Sequence, residues 1–164
     1  MDGQIVMDKI KNISQLKFRN KKVGLVTGVF DILHFEHVEF LEFAKKKVGI
    51  LIIGLESDEN IRMLKGKNRP IFNFKERASV LSSLKCVDFI FKIPSRKKAK
   101  SIPDFYKRIV KEISPDMFFS AIKADGSWKQ KKEKMGELGI EFVPYSKKPA
   151  VSSSKIISRL LKIG

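Results

Sequence analysis

The stretch Val23 to Lys47, VGLVTGVFDILHFEHVEFLEFAKKK, joins an apolar run to a glycine-containing turn and then to apolar residues at helical spacing. Val23 to Val26 has the length and aliphatic character of a buried strand, while Val38, Leu41 and Ala44 recur at the intervals of one helix face. The same alternation repeats outward. Ile50 to Leu55, Val87 to Phe91, Met117 to Phe119 and Ile140 to Val143 are short apolar runs suited to strands covered on both faces. Between them Phe74, Ala78 and Leu81, then Phe105, Ile109 and Ile113, then Trp128, Met135 and Leu138 mark further helices. Strands joined by helical crossovers pair in parallel, so the expected class is α/β: a doubly wound five-stranded parallel sheet with helices on both faces.

Boundary residues agree with this order. Asn73 with Glu76 three positions on forms a capping pair, and Gly139 stops the fourth helix. Ser152, Ser153 and Ser154 open a terminal amphipathic helix carrying Ile156, Ile157, Leu160 and Leu161. A short helix is expected around Met7, Ile10 and Ile13, as an extension over residues 1–20. The stretch from Ser95 to Ser101, SRKKAKS, reads as an exposed loop, and no repeat or linker divides the 164 residues, so one domain is expected over 1–164.

At 43% hydrophobic and 32% charged, with 13 Phe, the chain can bury a core large enough to offset its ordering entropy. The longest aliphatic run, Val48 to Leu55, is far short of the roughly 20 residues that span a bilayer, and the start MDGQIVMDKIKN has no secretory apolar region. A cytoplasmic protein without a membrane partner is expected. The single cysteine, Cys86, excludes an internal disulfide or a multi-cysteine metal site and is expected in the core. A net charge of +16 attracts any polyanion: nucleic acid, anionic membrane or a small phosphorylated ligand. The basic residues are spread along the chain as a solvated surface, and no interleaved aromatic platform accompanies them, so nucleic acid is not the expected partner.

Both histidines of the chain, His34 and His37, fall in the turn after the first strand. In an open α/β sheet ligands bind beyond the carboxyl ends of the strands, which is where that turn must lie. Gly28 would let the backbone approach a ligand, and the helix starting near His37 presents free N–H groups to an anion. Two imidazoles three residues apart can donate to phosphate oxygens. A core or capping role, or a metal pair completed by carboxylates, is the competing reading of the same residues.

GVFDILHFEH resembles the G-x-F-D-x-x-H-x-G-H motif of the cytidylyltransferase-like nucleotidyltransferases, whose members include polyol- and ethanolamine-phosphate cytidylyltransferases and heptose-phosphate adenylyltransferases. GLESDENIRMLKGKNRPIFNFKERASVLSSLKCVDFIF, from Gly54, is similar to the heptose-phosphate branch, and VSSSKII, from Val151, to the late serine motif. The resemblance implies a Rossmann-like fold, a homodimer, and transfer of AMP, or else CMP, from a nucleoside triphosphate to a phosphorylated small molecule such as a sugar or polyol phosphate. It implies catalytic roles for His34, His37 and Lys65. Nucleotide contacts would come from Thr27, Gly28, Phe30, Asp31, His34, His37, Lys67, Arg69, Arg77, Ser152, Ser153 and Ser154, with Mg²⁺ arriving on ATP or CTP and no protein-held metal. The bland counterparts are solvated loop lysines, a surface ion pair for Arg77 and a helix cap for the serines.

Glu36 stands where the motif has glycine, adding bulk and negative charge beside the triphosphate position. It could turn to solvent, pair with a lysine, or mark a relative that binds nucleotide or a phosphorylated ligand without turnover. Ala150 replaces the glycine before the serines, Lys147 stands for an arginine, and SAIKADGSW lacks the K-G-G-D pattern of the heptose branch. The alternative functions are thus a degenerate family member or a basic nucleic-acid-binding protein.

Overall fold

The structure, a computed structural model, describes residues 5–7, 20–97, 99 and 101–163. Its elements in chain order are β1 (Ile5–Met7), β2 (Val23–Gly28), α1 (Phe35–Lys45), β3 (Ile50–Glu56), α2 (Asp58–Lys65), α3 (Phe74–Ser82), β4 (Phe89–Ile93), α4 (Ile102–Ile113), β5 (Met117–Ala121), α5 (Trp128–Glu137), β6 (Glu141–Tyr145) and α6 (Ser153–Leu160). The strands form one sheet in the order β1-β4-β3-β2-β5-β6, and every pairing is parallel. All five expected strands are present. The chain runs from β2 outward through β3 to β4, then returns to the other side of β2 for β5 and β6. This reversal makes the gap beyond the carboxyl ends of β2 and β5 the place where crossovers leave in opposite directions and a ligand can enter.

Strand period two divides the apolar residues between two cores. Leu51, Ile53 and Leu55 of β3 face one side with Phe40, Leu41 and Ala44 of α1 and Ala78 and Leu81 of α3. Ile50 and Ile52 face the other with Phe105, Ile109 and Ile113 of α4 and Met135 of α5. Burial on both faces is why the strands read as unbroken apolar runs. Cys86 packs at the margin of the first core and is half-buried, and burial pushes its thiol up.

Three departures have physical causes. Met7 lies in the edge strand β1, not in a helix, because Ile5–Met7 pairs with Phe89–Phe91 and covers the open edge of β4; Ile10 and Ile13 lie outside the described residues. A helix, α2, occupies Asp58–Lys65, where the apolar spacing marked none. Ser57 caps it, its Oγ accepting from the Asn60 N–H at 3.3 Å, and acidic residues fill its first turn, yet Met63 and Leu64 are exposed and blur the apolar face. In the 95–101 loop Ser95 and Lys97 are exposed, whereas the Arg96 N–H donates to Asn60 Oδ1 at 2.9 Å; Lys98 and Lys100 lie outside the described residues. The caps at Asn73 and Gly139 form as expected. The Asn73 side chain accepts from the Glu76 N–H and Glu76 accepts from the Asn73 N–H, and Gly139 adopts φ +68° while the Ile140 N–H returns to the Met135 carbonyl. Among the described residues no helix is long and apolar enough to cross a membrane.

Arg77 of α3 fastens the carboxyl edge of the sheet. Its side chain is 2% exposed; Nε donates to the Phe72 carbonyl (2.9 Å), Nη1 to the Val29 carbonyl (2.7 Å), and Nη2 to the Glu56 carbonyl (2.8 Å) and Asp58 Oδ1 (2.7 Å). Removing it strands several buried acceptors. Arg77→Met is expected to lower the unfolding free energy by about 3 kcal/mol, read from the urea midpoint, and a loss below about 1 kcal/mol would contradict this role.

Candidate anion-binding site

The backbone leaving β2 turns sharply because Phe30 adopts φ +45°, a conformation seldom taken by a residue with a side chain. That turn folds the Phe30 ring back over Gly28, where an added Cβ would lie 2.6 Å from Phe30 Cε2. A side chain at position 28 would therefore collide with the Phe30 ring unless that ring moved. The ring also meets His37 edge-on, with centroids 5.1 Å apart.

His34 is the N-cap of α1, with extended backbone, but its side chain makes no capping hydrogen bond. It stacks instead on His37, ring centroids 3.8 Å apart at 29°. Nδ1 and Nε2 of His34 and Nδ1 of His37 are buried and have no hydrogen-bond partner. Groups of this kind carry a desolvation cost and in native folds are normally satisfied, which makes these nitrogens candidates to meet a ligand. Burial lowers both imidazoles. His37 falls to about 4, with His34 and Lys65 adding to the effect and Glu36 opposing it; His34 is lowered by burial and partly restored by Glu36. Both rings are thus neutral at pH 7, and an incoming anion would reverse the balance toward the imidazolium.

Cationic groups border the pair. Lys65 ends α2, is lowered by burial and by Arg69, and acts on His37. Arg69 is held by Asp31, with Nε at 2.7 Å and Nη2 at 2.6 Å from Oδ2. Asp31, 2% exposed, also accepts from the N–H groups of Ile71 and Phe72. Its oxygens accept from Arg69 and from the 69–72 loop, so Asp31 holds Arg69 in place. Arg77 is withdrawn, its guanidinium spent on the sheet edge. Lys67 borders a separate hollow of about 360 Å³ with Glu59, Arg62, Met63 and Lys97. Thr27 sits half-buried at the carboxyl end of β2.

The third wall is the start of α6. Ser152 is its N-cap, Oγ accepting from the Lys155 N–H at 3.2 Å, and Ser153 Oγ donates to the Ile32 carbonyl at 3.2 Å, pinning the helix start to the histidine turn. Both serines thus have structural partners, and Ser154 is exposed in the first turn. Glu36 is the residue whose role escaped sequence reading. It is only 9% exposed, and its oxygens bond to backbone: Oε1 accepts from the Ala150 N–H at 2.6 Å and Oε2 from the Val151 N–H at 3.0 Å. Lys147 pairs instead with Glu39, at 2.6 Å. Burial alone would raise the Glu36 carboxyl, but the two backbone donors, with His34 and Lys147, hold it below the ordinary value. Among the described residues there is no group of three or more His, Cys, Asp or Glu that could hold a metal ion.

The profile of the family described as cytidylyltransferase-like matches residues 25–159, a span containing the histidine turn, the α2 region and the start of α6. The chain belongs to the cytidylyltransferase-like family. Among characterised relatives of this member, the bifunctional protein HldE of Helicobacter acinonychis is 48% identical over 84 residues, which are 51% of this chain and 18% of that protein. HldE of Haemophilus influenzae is 37% identical over 105 residues, 64% of this chain and 20% of that protein. This chain therefore matches about a fifth of the length of these relatives. A solved structure described as a lipopolysaccharide core biosynthesis protein from Thermoplasma volcanium superimposes with TM-score 0.63 at 28% identity, covering 79% of this chain and 99% of the other. Pantoate-beta-alanine ligase from Francisella tularensis shares the fold, with TM-score 0.65 at 15% identity over 94% of this chain and 73% of the other. The comparisons agree with the resemblance carried by GVFDILHFEH and with its Rossmann-like fold.

The histidine environment has a pH signature. The ring signals of His37 in NMR should stay those of the neutral form down to about pH 4. Because the unfolded chain takes up protons near pH 6.5 and the folded His37 near 4, the folded state binds fewer protons between these values. Stability from this group is complete above about pH 6.5 and declines as pH falls toward 4. A His37→Gln variant should lack that part of the slope, and an unchanged slope would refute the assignment.

Proposed function

We propose that this chain is a nucleotidyltransferase that moves AMP, in preference to CMP, from a nucleoside triphosphate onto the phosphate of a phosphorylated sugar or polyol and releases pyrophosphate. The observation that carries the reading is the stacked, neutral, unpartnered pair His34 and His37 at the sheet's switch point. Support for a saccharide acceptor comes from the HldE relatives and from the description of the Thermoplasma volcanium protein.

The acceptor phosphate is already an anionic nucleophile, so the site needs alignment and charge stabilisation more than a strong base. An acceptor oxygen forms a bond to the α-phosphorus, the bond from the α-phosphorus to the bridging oxygen breaks, and pyrophosphate departs with that electron pair. Charge accumulates on the departing oxygens. His34 and His37 donate N–H bonds to them from a desolvated position, where each bond is worth more than in water. Lys65 adds a compact positive charge, Arg69 is presented by Asp31, and Ser153 keeps the start of α6 against the turn. Mg²⁺ would be carried by the triphosphate oxygens and water, neutralising charge that these cations leave uncompensated. ATP and phosphorylated metabolites place such a reaction in the cytoplasm.

A second reading, nucleotide binding without turnover, is favoured by one observation: the Glu36 carboxylate stands on the Ala150 and Val151 N–H groups. Two measurements separate the readings. Millimolar ATP or CTP with Mg²⁺ should raise the thermal midpoint, since ligand at about 100 times its dissociation constant adds roughly 2.7 kcal/mol. Pyrophosphate release with phosphorylated sugars should then fall roughly 10²- to 10³-fold in kcat/KM for His37→Ala. Stabilisation without release from any acceptor would favour the second reading, and no stabilisation by any nucleotide would sink both.

A further inference from the structure

We infer that Glu36 is an internal anion that occupies phosphate-binding backbone donors and thereby sets which phosphate chains the site accepts. The inference rests on the nucleotide-binding reading above and adds a specificity-determining residue to it. Two consecutive backbone N–H groups converging on the two oxygens of one carboxylate are the donor arrangement that cradles a phosphate. Those N–H groups belong to Ala150 and Val151, immediately before the Ser152 cap of α6. The Ser153 bond to the Ile32 carbonyl holds that segment beside the turn bearing His34 and His37. The carboxylate therefore lies inside the wall of the anion site, not on the outer surface of α1.

A glycine at this position would leave the two N–H groups facing the site. Glutamate supplies its own negative charge to them, anchored by the first turn of α1. A ligand phosphate reaching the same donors must displace a buried carboxylate held by two hydrogen bonds, and a phosphate bound alongside is repelled by it. Both effects grow with the number of ligand phosphates near the α6 start. Lys147, which helps keep Glu36 ionised, is itself paired with Glu39 at the surface, and burial lowers both imidazoles that face Glu36. The site thus discriminates against extended phosphate chains at the α6 wall while leaving the histidine wall open to them.

Isothermal titration of the full chain, Glu36→Gly and Glu36→Gln with orthophosphate, pyrophosphate and ATP, the last with Mg²⁺, tests this directly. Gln keeps the volume and one acceptor, so it reads the charge if the glycine variant fails to fold. Both variants should bind pyrophosphate and ATP at least about tenfold tighter than the parent chain, with a smaller gain for orthophosphate. Equal or weaker binding in a folded variant would overturn the inference, because a merely structural carboxylate would lower thermal stability and leave the phosphate ranking unchanged. Tighter ATP binding without pyrophosphate release from any acceptor would uphold Glu36 as the internal anion and refute turnover. Release by the parent chain with unaltered affinities in the variants would do the opposite.

Discussion

The Arg77 guanidinium joins acceptors from four connections: the end of β2 through Val29, the end of β3 through Glu56, the start of α2 through Asp58 and the entry to α3 through Phe72. Carbonyls at the carboxyl ends of parallel strands lose their sheet partners just where the ligand cleft begins, and each buried one needs a donor. A planar fork with several N–H groups can serve all of them from one position, which an ammonium cannot. The turn after β2 can therefore be sharp, with Phe30 at positive φ, because its far end is fixed. The Ser153 bond to the Ile32 carbonyl and the Glu36 bonds to Ala150 and Val151 then place α6 against that fixed turn.

On this frame the chain separates charges that serve the fold from charges left for a ligand. Asp31 and Arg77 are almost fully buried and paired within the protein, so they hold the loops after β2 and before α3. His34, His37 and Lys65 are held in a partly desolvated place that lowers their basicity, and no carboxylate neutralises them fully. Such groups gain most from an arriving anion, because the same burial that lowers their basicity strengthens attraction once charge arrives. The net charge of +16 draws anions toward the whole surface. What it cannot do is fix orientation, which depends on the few groups whose side chains are already held.

Much of the architecture was legible because both sheet faces are covered: Ile50 to Leu55 can only be so uniformly apolar in a strand buried on both sides. The histidine pair was legible from its position after such a strand. Roles that depend on tertiary partners were not. Nothing local distinguishes Arg77, which is spent on carbonyls far away in sequence, from a cation facing phosphate. Asp31 and Gly28 belong to the motif, yet one holds the 69–72 loop and the other yields to the Phe30 ring. Helix α2 carried its signals in Ser57, Asp58, Glu59 and Gly66, but two exposed apolar residues disguised its buried face. β1 escaped because three residues become a strand only when a neighbouring edge needs them.

Glu36 shows how one side chain can change a site without moving its backbone. The motif that this stretch resembles has glycine at this position; here a carboxylate 114 residues away from Ala150 in sequence takes up its N–H donor. The α6 start is then ordered by the chain itself instead of by a bound phosphate, which removes part of the entropic cost of assembling the cleft. The same carboxylate opposes the burial that lowers His34 and His37, keeping the imidazoles closer to protonation than burial alone would allow. Preorganisation and exclusion are therefore two consequences of one pair of hydrogen bonds. Which dominates depends on how much phosphate charge a ligand brings to the α6 wall, and that is a property of the ligand as much as of the protein.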